Sequence, residues 1–419
     1  MKELIRKIFR GDAILWSTVI ALLIISGVIM FSAISSSAHR YDDYLIPFWG
    51  HLKHLCLAFV IIMVVHQFSF RNIRLLLWVI PVISLILLIL TPIVGKSVNG
   101  AIRSISIGGF EIQSIEITKL AIVILFAEIL GYFNTHKDKQ MSIKPFCIMS
   151  GILGTFCFLV MIQNFSTAVI LFGVTMLMMF IGKVSIKYIA SLIGILVVVG
   201  GLFIGISYAL KLDNFATSRV ETIVNRFERR MYSDESKTIV IDDKNRQIIN
   251  SKIAIANGIS PCGPGNSIQR DYLALAYSDF VYAVIIEEYG MLGGIATILL
   301  YVIILARAGK IARRCGPDEA TEGLLVIGLA LIFVLQAFIN MAVATELGPV
   351  TGQTLPLISR GGMSLFVTSF GFGLMLGISA HNEERIKKEQ AALAATEATQ
   401  PANAENNTEE TTETINNQA

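Results

Sequence analysis

This chain is poor in charge. Asp, Glu, Lys and Arg make up 16% of its 419 residues, where a soluble protein carries roughly 25%. Hydrophobic residues reach 54% and the mean hydropathy is +0.67, so the excess apolar sequence must face lipid rather than fill one enlarged core. Neither sign of charge dominates: the net charge is +3, which leaves no basic footprint for nucleic acid. Paired cysteines are also missing. Cys56, Cys147, Cys157, Cys262 and Cys315 are scattered, with no CxxC spacing, and suggest neither zinc nor disulfides. There is no internal repeat of useful strength. The apolar run from Ala13 to about Ala33 follows twelve basic-leaning residues. It is longer than a signal-peptide core of about 7–15 residues and predicts a retained first helix, although the Ser-rich stretch after it keeps cleavage open.

What is present is a series of apolar runs, each near the roughly 17–25 residues a helix needs to cross a bilayer. They lie near residues 13–33, 47–66, 74–94, 116–133, 145–162, 166–182, 185–208, 280–305, 322–345 and 355–380. Only Gln163 and Asn164 separate the fifth from the sixth. The pattern predicts an all-α integral membrane protein, a polytopic bundle of about ten transmembrane helices. Basic residues fill every second short loop: Arg71 and Arg74; Lys137, Lys139 and Lys144; Lys183 and Lys187; Arg307, Lys310, Arg313 and Arg314. The alternate loops hold only Arg40, Lys96 and Arg103. By the positive-inside rule both termini are cytoplasmic, and a large loop at about 209–279 lies outside. That loop has nearly balanced charge, as in Arg226-Phe227-Glu228-Arg229-Arg230, and is expected to pack on the helix mouths. Residues 1–12 form a cytoplasmic N-terminus and 13–388 the membrane domain. Residues 389–419 are rich in Ala, Glu, Thr, Asn and Gln, a composition that predicts disorder.

Ionisable residues in or beside spans are expensive and therefore functional candidates. One cluster is Asn99-Gly100-Ala101, Arg103, Gln113, Glu116 and Lys119. Glu116 and Lys119 are three apart and share a helix face, which suits a structural ion pair as well as a functional one. A second cluster is Asp279, Glu287 and Glu288. Glu287 lies about 12 Å deeper than Asp279, at about 1.5 Å per residue, on nearly the same face, and Glu288 points almost opposite. An acid at a water-accessible mouth suits proton transfer from an attacking hydroxyl; Ser278 and Asp279 equally suit a helix N-cap. A third cluster is Thr351-Gly352, Leu355-Pro356, Ser359, Gly361-Gly362 and Ser364, which suits either close packing or a cavity lining. His51 and His54 share a helix face but have no carboxylate partner in sequence to make a metal site.

Together these stretches resemble the SEDS family (shape, elongation, division and sporulation). Asn99-Gly100-Ala101-Ile102-Arg103-Ser104 and Gln113-Ser114-Ile115-Glu116-Ile117-Thr118-Lys119 are similar to its NGAxRW and QPxExxK patterns. Gln163-Asn164-Phe165-Ser166-Thr167-Ala168 resembles PDxGTA. The segment from Gln247 through Ala254, Gly258, Gly263, Gly265 and Ser267 resembles its Gly-rich loop motif. Ser278-Asp279-Phe280, Ala283 and Glu287-Glu288-Tyr289-Gly290 resemble TDFxxAxxxEExG. Gln336, Asn340-Met341 and the third cluster resemble its closing signature. The chain departs from the pattern at Ser104 for Trp, Ser114 for Pro and Gln163-Asn164 for Pro-Asp. Leu273-Ala274-Leu275 stands where the family has LPE, so two secondary acids are gone and Asp279 remains.

The resemblance implies a ten-helix SEDS fold and a peptidoglycan glycosyltransferase that polymerises lipid II at the outer face of the bacterial cytoplasmic membrane. It implies Asp279 as the catalytic acid. Arg103, Lys119, Glu116, Gln113, Ser359, Gly361 and Gly362 are the expected substrate contacts, with Glu287 and Glu288 supporting. Asn99 and the run Glu116-Ile117-Thr118-Lys119 favour the division branch, at the septum, over elongation. The implied partners are a class B penicillin-binding protein transpeptidase and other membrane proteins of the division machinery. A divalent cation, magnesium or manganese, would suit the diphosphate, but no ligand cluster in the sequence demonstrates one. Two rivals remain open from sequence: a transporter that flips the lipid-linked precursor, and a non-catalytic division scaffold. A prenyl substrate also requires an apolar groove open to lipid, whose place the sequence does not give.

Overall fold

The computed structural model describes residues 9–35, 45–98, 101–107, 110–136, 141–209, 246–273, 276–348 and 350–416. Asn99, Gly100, Ala274, Leu275 and the loop residues 210–245 therefore lie outside the described residues, as does the side chain of Arg103. The helices are α1 (Ala13–Ser35), α2 (Leu45–Val65), α3 (Phe70–Leu77), α4 (Val79–Val94), α5 (Ser114–Thr135) and α6 (Ile143–Gln163). They continue with α7 (Phe165–Ile181), α8 (Ile186–Ala209), α9 (Arg246–Asn257), α10 (Val281–Arg314), α11 (Ala320–Ala344) and α12 (Gly362–Asn416).

Each of the ten expected spans has its helix. Seven are long and apolar enough to cross a membrane by length and composition, and α7 and much of α8 are shorter apolar helices. The tenth, α5, carries Glu116, Lys119 and Glu128 among largely buried apolar residues. The third span is α3 and α4 together, divided at Trp78; Pro81 has no N–H to offer the Leu77 carbonyl four residues back. The fifth and sixth spans part at Asn164. Its backbone is extended there, and its side-chain carbonyl accepts Thr167 N–H at 3.2 Å as the N-cap of α7.

Three features depart from the sequence reading. Residues 96–112 are not plain loop: β1 (Lys96–Val98), β2 (Ala101–Ile107) and β3 (Phe110–Ile112) form an antiparallel sheet in the order β1-β2-β3. The alternation Ile102, Ser104, Ser106 against Arg103, Ile105, Ile107 suits a half-buried strand. The last span begins at Gly362 rather than 355. Before it, Leu355, Leu357 and Ile358 are buried in an irregular segment, with Leu357 in the left-handed region at φ 64°. Finally, α12 continues to Asn416, through the segment whose composition predicts disorder; its Ala, Glu and Gln are strong helix formers.

Most of α11 and the first half of α12 are buried, whereas α2, α4, α6 and α10 turn long apolar faces outward. At the end of the bundle where α1 starts, Asp12 is 2% exposed. It caps α1 by accepting Leu15 N–H at 2.9 Å, and Arg307 Nε of α10 lies 3.0 Å from both its carboxylate oxygens. Its own N–H donates to Ser379 Oγ of α12 at 3.0 Å. Burial pushes the Asp12 carboxyl up, but the Arg307 and Leu15 hydrogen bonds outweigh it and hold the group below the ordinary range.

At the other end, a strap of residues 258–272 lies against α10. Gly290 there has φ 72° and ψ −174°, a conformation essentially closed to residues with a Cβ. The kink leaves carbonyls without helical partners, and the strap takes them: Cys262 N–H donates to Glu287 O at 3.1 Å and Gly263 N–H to Glu288 O at 3.2 Å. Gly258 lets the strap approach, since a Cβ there would stand 2.4 Å from Ile286 O. The described part of the long loop thus packs on the helix mouths.

Two of the pattern departures meet inside the bundle. Ser114 Oγ at the start of α5 donates to Gln163 Oε1 at the end of α6 (3.0 Å), and Gln163 Nε2 donates to Leu88 O of α4 at 3.3 Å. Polar residues at both positions therefore satisfy each other. A double-mutant cycle of Ser114→Ala and Gln163→Leu, read by unfolding in nanodiscs, is expected to show coupling of about 0.5–2 kcal/mol; additive losses would contradict the pairing. Gly290→Ala is expected to destabilise the chain by about 1–3 kcal/mol. Gly309→Ala in the same helix, where nothing lies within 4 Å of a new Cβ, should be neutral or stabilising by up to about 1 kcal/mol.

Candidate active site

Asp279 sits on the turn just before α10, and the turn is held from two sides. Asn340 of α11, 1% exposed, donates both amide hydrogens to backbone carbonyls: Asp279 O at 2.9 Å and Gln353 O at 2.6 Å. Since both neighbours are acceptors only, the amide can face only one way. From the other side, Ser359 Oγ donates to Ser278 O at 2.6 Å and accepts Leu355 N–H at 2.7 Å. Arg360 N–H donates to Tyr277 O at 2.9 Å. Ser278 Oγ lies 3.0 Å from Asp279 Oδ1 and donates to it. Three successive residues of the turn are thus tied to α11 or to the 350–361 segment.

That segment is tied in turn to the bundle core. Gln353 Nε2 donates to Thr167 Oγ1 of α7 at 2.9 Å, and Gln336 Nε2 donates to Thr354 O at 2.8 Å. Lys119 Nζ donates to Gln336 Oε1 at 2.6 Å and pairs with Glu116 at 2.8 Å. Lys119 is only 3% exposed, and a buried ammonium needs such partners. One polar chain therefore runs from Glu116 through Lys119, Gln336 and the 353–359 segment to the Asp279 turn.

The expected site residues divide accordingly. Glu116, Lys119 and Ser359 join the chain that holds the turn, and Ser359, expected as a substrate contact, has its hydroxyl committed within the protein. Gln113 is exposed at the N-cap of α5, and its side chain makes no cap hydrogen bond. Arg103 lies on β2. Gly361 and Gly362 open α12; a Cβ on Gly362 would stand 3.7 Å from the His54 ring. Glu287 accepts from Asn257 Nδ2 at 3.0 Å, from Gln269 N–H at 3.3 Å and from Ser267 Oγ. Glu288 accepts from Ser32 Oγ of α1, which itself receives Arg270 Nη1 at 2.6 Å. Both acids thus hold the strap, on opposite faces of α10. On the strap, burial pushes the Cys262 thiol up, and the nearby Glu287 and Glu288 carboxylates add to it. Among the described residues no group of three His, Cys, Asp or Glu is arranged to hold a metal ion.

Sequence reasoning missed Thr167, Gln353 and Tyr277 as site elements, and gave Asn340 no role. Gln336 and Asn340, four apart in an otherwise apolar helix, were the available signal, because a polar pair on one face of a buried helix must have partners. Beside the site, an apolar groove of about 480 Å³ opens between α2, α4, α5 and α12.

The chain is similar to known proteins along most of its length. The chain is 32% identical over 381 residues to the Haemophilus influenzae protein named "probable peptidoglycan glycosyltransferase FtsW", covering 88% of this chain and 90% of that one. It is 30% identical over 395 residues to the protein of the same name from Alcanivorax borkumensis, covering 90% and 95%. Its fold matches, with a TM-score of 0.67 and 22% identity over 89% of this chain and 98% of the other, a chain solved for the structural coordination of polymerization and crosslinking by a peptidoglycan synthase complex. It also matches the Thermus thermophilus rod shape determining protein RodA, with a TM-score of 0.59 and 22% identity over 88% and 96%. The model of the FtsW, RodA and SpoVE cell cycle proteins matches residues 13–384. Since that match spans every helix that builds the site, from α1 into α12, this multi-pass membrane chain belongs to the FtsW, RodA and SpoVE family of cell cycle proteins.

Proposed function

We propose that this chain is a peptidoglycan glycosyltransferase that polymerises lipid II at the outer face of the cytoplasmic membrane during septal wall synthesis, with both termini cytoplasmic. The observation that carries the reading is the tethering of the Asp279 turn to α11 and the 350–361 segment. Such rigidity suits a group that must meet a reacting hydroxyl in a fixed geometry. In the proposed step, the 4-hydroxyl oxygen of one lipid-linked disaccharide attacks the anomeric carbon of the growing chain. The new C–O bond forms as the bond to undecaprenyl diphosphate breaks, with inversion, and the hydroxyl proton passes to Asp279. Arg103 is the cation assigned to the departing diphosphate. Lys119, whose ammonium is occupied by Glu116 and Gln336, acts by holding the segment that carries Ser359.

Relatives named FtsW support the division role over elongation. A class B penicillin-binding protein is the proposed partner, alongside other division proteins. The polar chain is confined to one end of the bundle. Between Lys119 and Glu128, α5 presents only Leu120 to Ala127, and α11 is apolar from Leu324 to Leu335. A transporter would need polar groups along the whole path, so this distribution favours chemistry; a scaffold would need no clamped acid.

The test is reconstitution of the full-length chain with its partner transpeptidase and lipid II. Glycan strands are expected, and Asp279→Asn should lower turnover at least about 100-fold. Full polymerisation by the Asn variant would remove Asp279 as base, and translocation of labelled lipid II without polymer would favour the transporter. Asn340→Ala should cost roughly tenfold in turnover through one or two lost hydrogen bonds. Asn340→Asp should cost at least as much despite its equal size, because a carboxylate cannot donate to two carbonyls.

A further inference from the structure

From Met141 to Ala209 the chain holds three lysines and no Asp, Glu or Arg. That stretch covers α6, α7 and α8. Lys144 lies in the first turn of α6, Lys183 in the turn after α7 and Lys187 in the first turn of α8. Helix alternation puts all three at the end of the bundle where α1 starts, the end read as cytoplasmic. All three are exposed, and among the described residues no carboxylate pairs with any of them. The arginines of that end are different: Arg10 meets Glu384, Arg74 meets Glu128, Arg307 meets Asp12 and Arg385 meets Glu319.

The fold gathers these lysines. Phe146 of α6 and Tyr188 of α8 stack, with ring centroids 4.8 Å apart and planes at 21°. Lys144 is two residues from Phe146 and Lys187 adjoins Tyr188, so each branches from the chain within about 4–7 Å of a stacked residue. Lys183 leads into α8 with φ 60°, the left-handed region that a residue with a Cβ enters only at a cost. A lysine in the first turn of a helix is also disfavoured by the helix dipole. Intramolecular stability therefore does not account for these cations. Around them the surface is apolar: Ile143 and Ile148 on α6, and Phe180, Ile181 and Ile186 on the side of α7 and α8, are all exposed.

We infer that this corner binds a cardiolipin, with one phosphate at Lys144, the other at Lys183 and Lys187, and acyl chains along the exposed apolar residues. Basic corners between spans at the cytoplasmic side suit such headgroups. A zwitterionic phospholipid brings no net charge to three cations. Phosphatidylglycerol brings one phosphate, where the lysines stand on both sides of the Phe146 and Tyr188 pair. A soluble phosphate would leave the apolar flanks without a partner, whereas lysine stems can lie along those flanks with their ammonium groups at headgroup level. The site is at the opposite end of the bundle from the Asp279 turn and does not depend on the enzymatic reading.

The test measures binding of tetraoleoyl cardiolipin to the full-length chain in detergent by native mass spectrometry. Lys144→Gln and Lys187→Gln are each expected to weaken binding roughly fivefold. Lys183→Gly should weaken it to the same degree while the thermal midpoint without lipid stays level or rises, because glycine adopts φ 60° without strain; that loss cannot come from unfolding. Replacing all three lysines by Arg should preserve binding. Lys310→Gln, Arg313→Gln and Arg314→Gln together remove the same charge from the end of α10 and should leave cardiolipin unaffected. Equal weakening in that α10 variant overturns the site, as does unchanged binding when Lys144→Gln, Lys183→Gly and Lys187→Gln are combined. Phosphatidylglycerol competing as well as cardiolipin at equal phosphate would overturn it too.

Discussion

Asn340 brings two N–H bonds into a buried stretch of α11, and both end on backbone carbonyls, one at Asp279 and one at Gln353. In an apolar bundle an unmet donor costs several times what a typical bond contributes on balance. The side chain therefore fixes the distance between the α10 entrance and the 350–361 segment. The rest of the loop end depends on that spacing. With Gln353 in place, Thr354 meets Gln336 and Ser364 (3.1 Å), and Ser359 reaches Ser278. With Asp279 in place, α10 starts where its first turn can run down to Gly290 and the strap. Leu357, held at φ 64° with 2% exposure, shows that the segment tolerates backbone strain to keep this geometry.

The two ends of the bundle use charge differently. At the end where α1 starts, charges are paired to close helices together: Arg307 with Asp12, Arg385 with Glu319, Arg74 with Glu128. At the loop end the ion pair of Glu116 and Lys119 is extended through Gln336 into neutral hydrogen bonds. A chain of that kind transmits position without carrying net charge to the reacting groups.

Apolar run length made the ten helices legible, because lipid imposes a minimum length that few other constraints imitate. The break between α6 and α7 was legible only as Gln163 and Asn164 interrupting one apolar run; that Asn164 caps α7 shows in the structure alone. The sheet at 96–112 was not: a seven-residue strand of alternating Ile and Ser is too short to rise above loop composition. Nor was the start of α12, since Leu355, Leu357 and Ile358 are as apolar as a helix and hydropathy does not register φ. In the site, single acids such as Asp279 stand out in an apolar sequence. Their partners do not, because the contacts join residues far apart, 61 positions for Asn340 with Asp279 and 186 for Gln353 with Thr167.

Three acids gather at the entrance of α10, and their surroundings divide the labour among them. Glu287 is 1% exposed and receives hydrogen bonds from Asn257, Ser267 and Gln269. Glu288 is 2% exposed and is joined to α1 and Arg270 through Ser32. A carboxylate so enclosed could take a proton from a sugar hydroxyl only by releasing the strap, and the strap is what covers the Gly290 kink. Asp279 is different in kind. The clamp grips its main chain, through Asn340, while the side chain sits partly exposed at the mouth. A proposed base needs a fixed backbone and a carboxylate that is not fully buried, and of these three acids Asp279 is the one that is only partly buried.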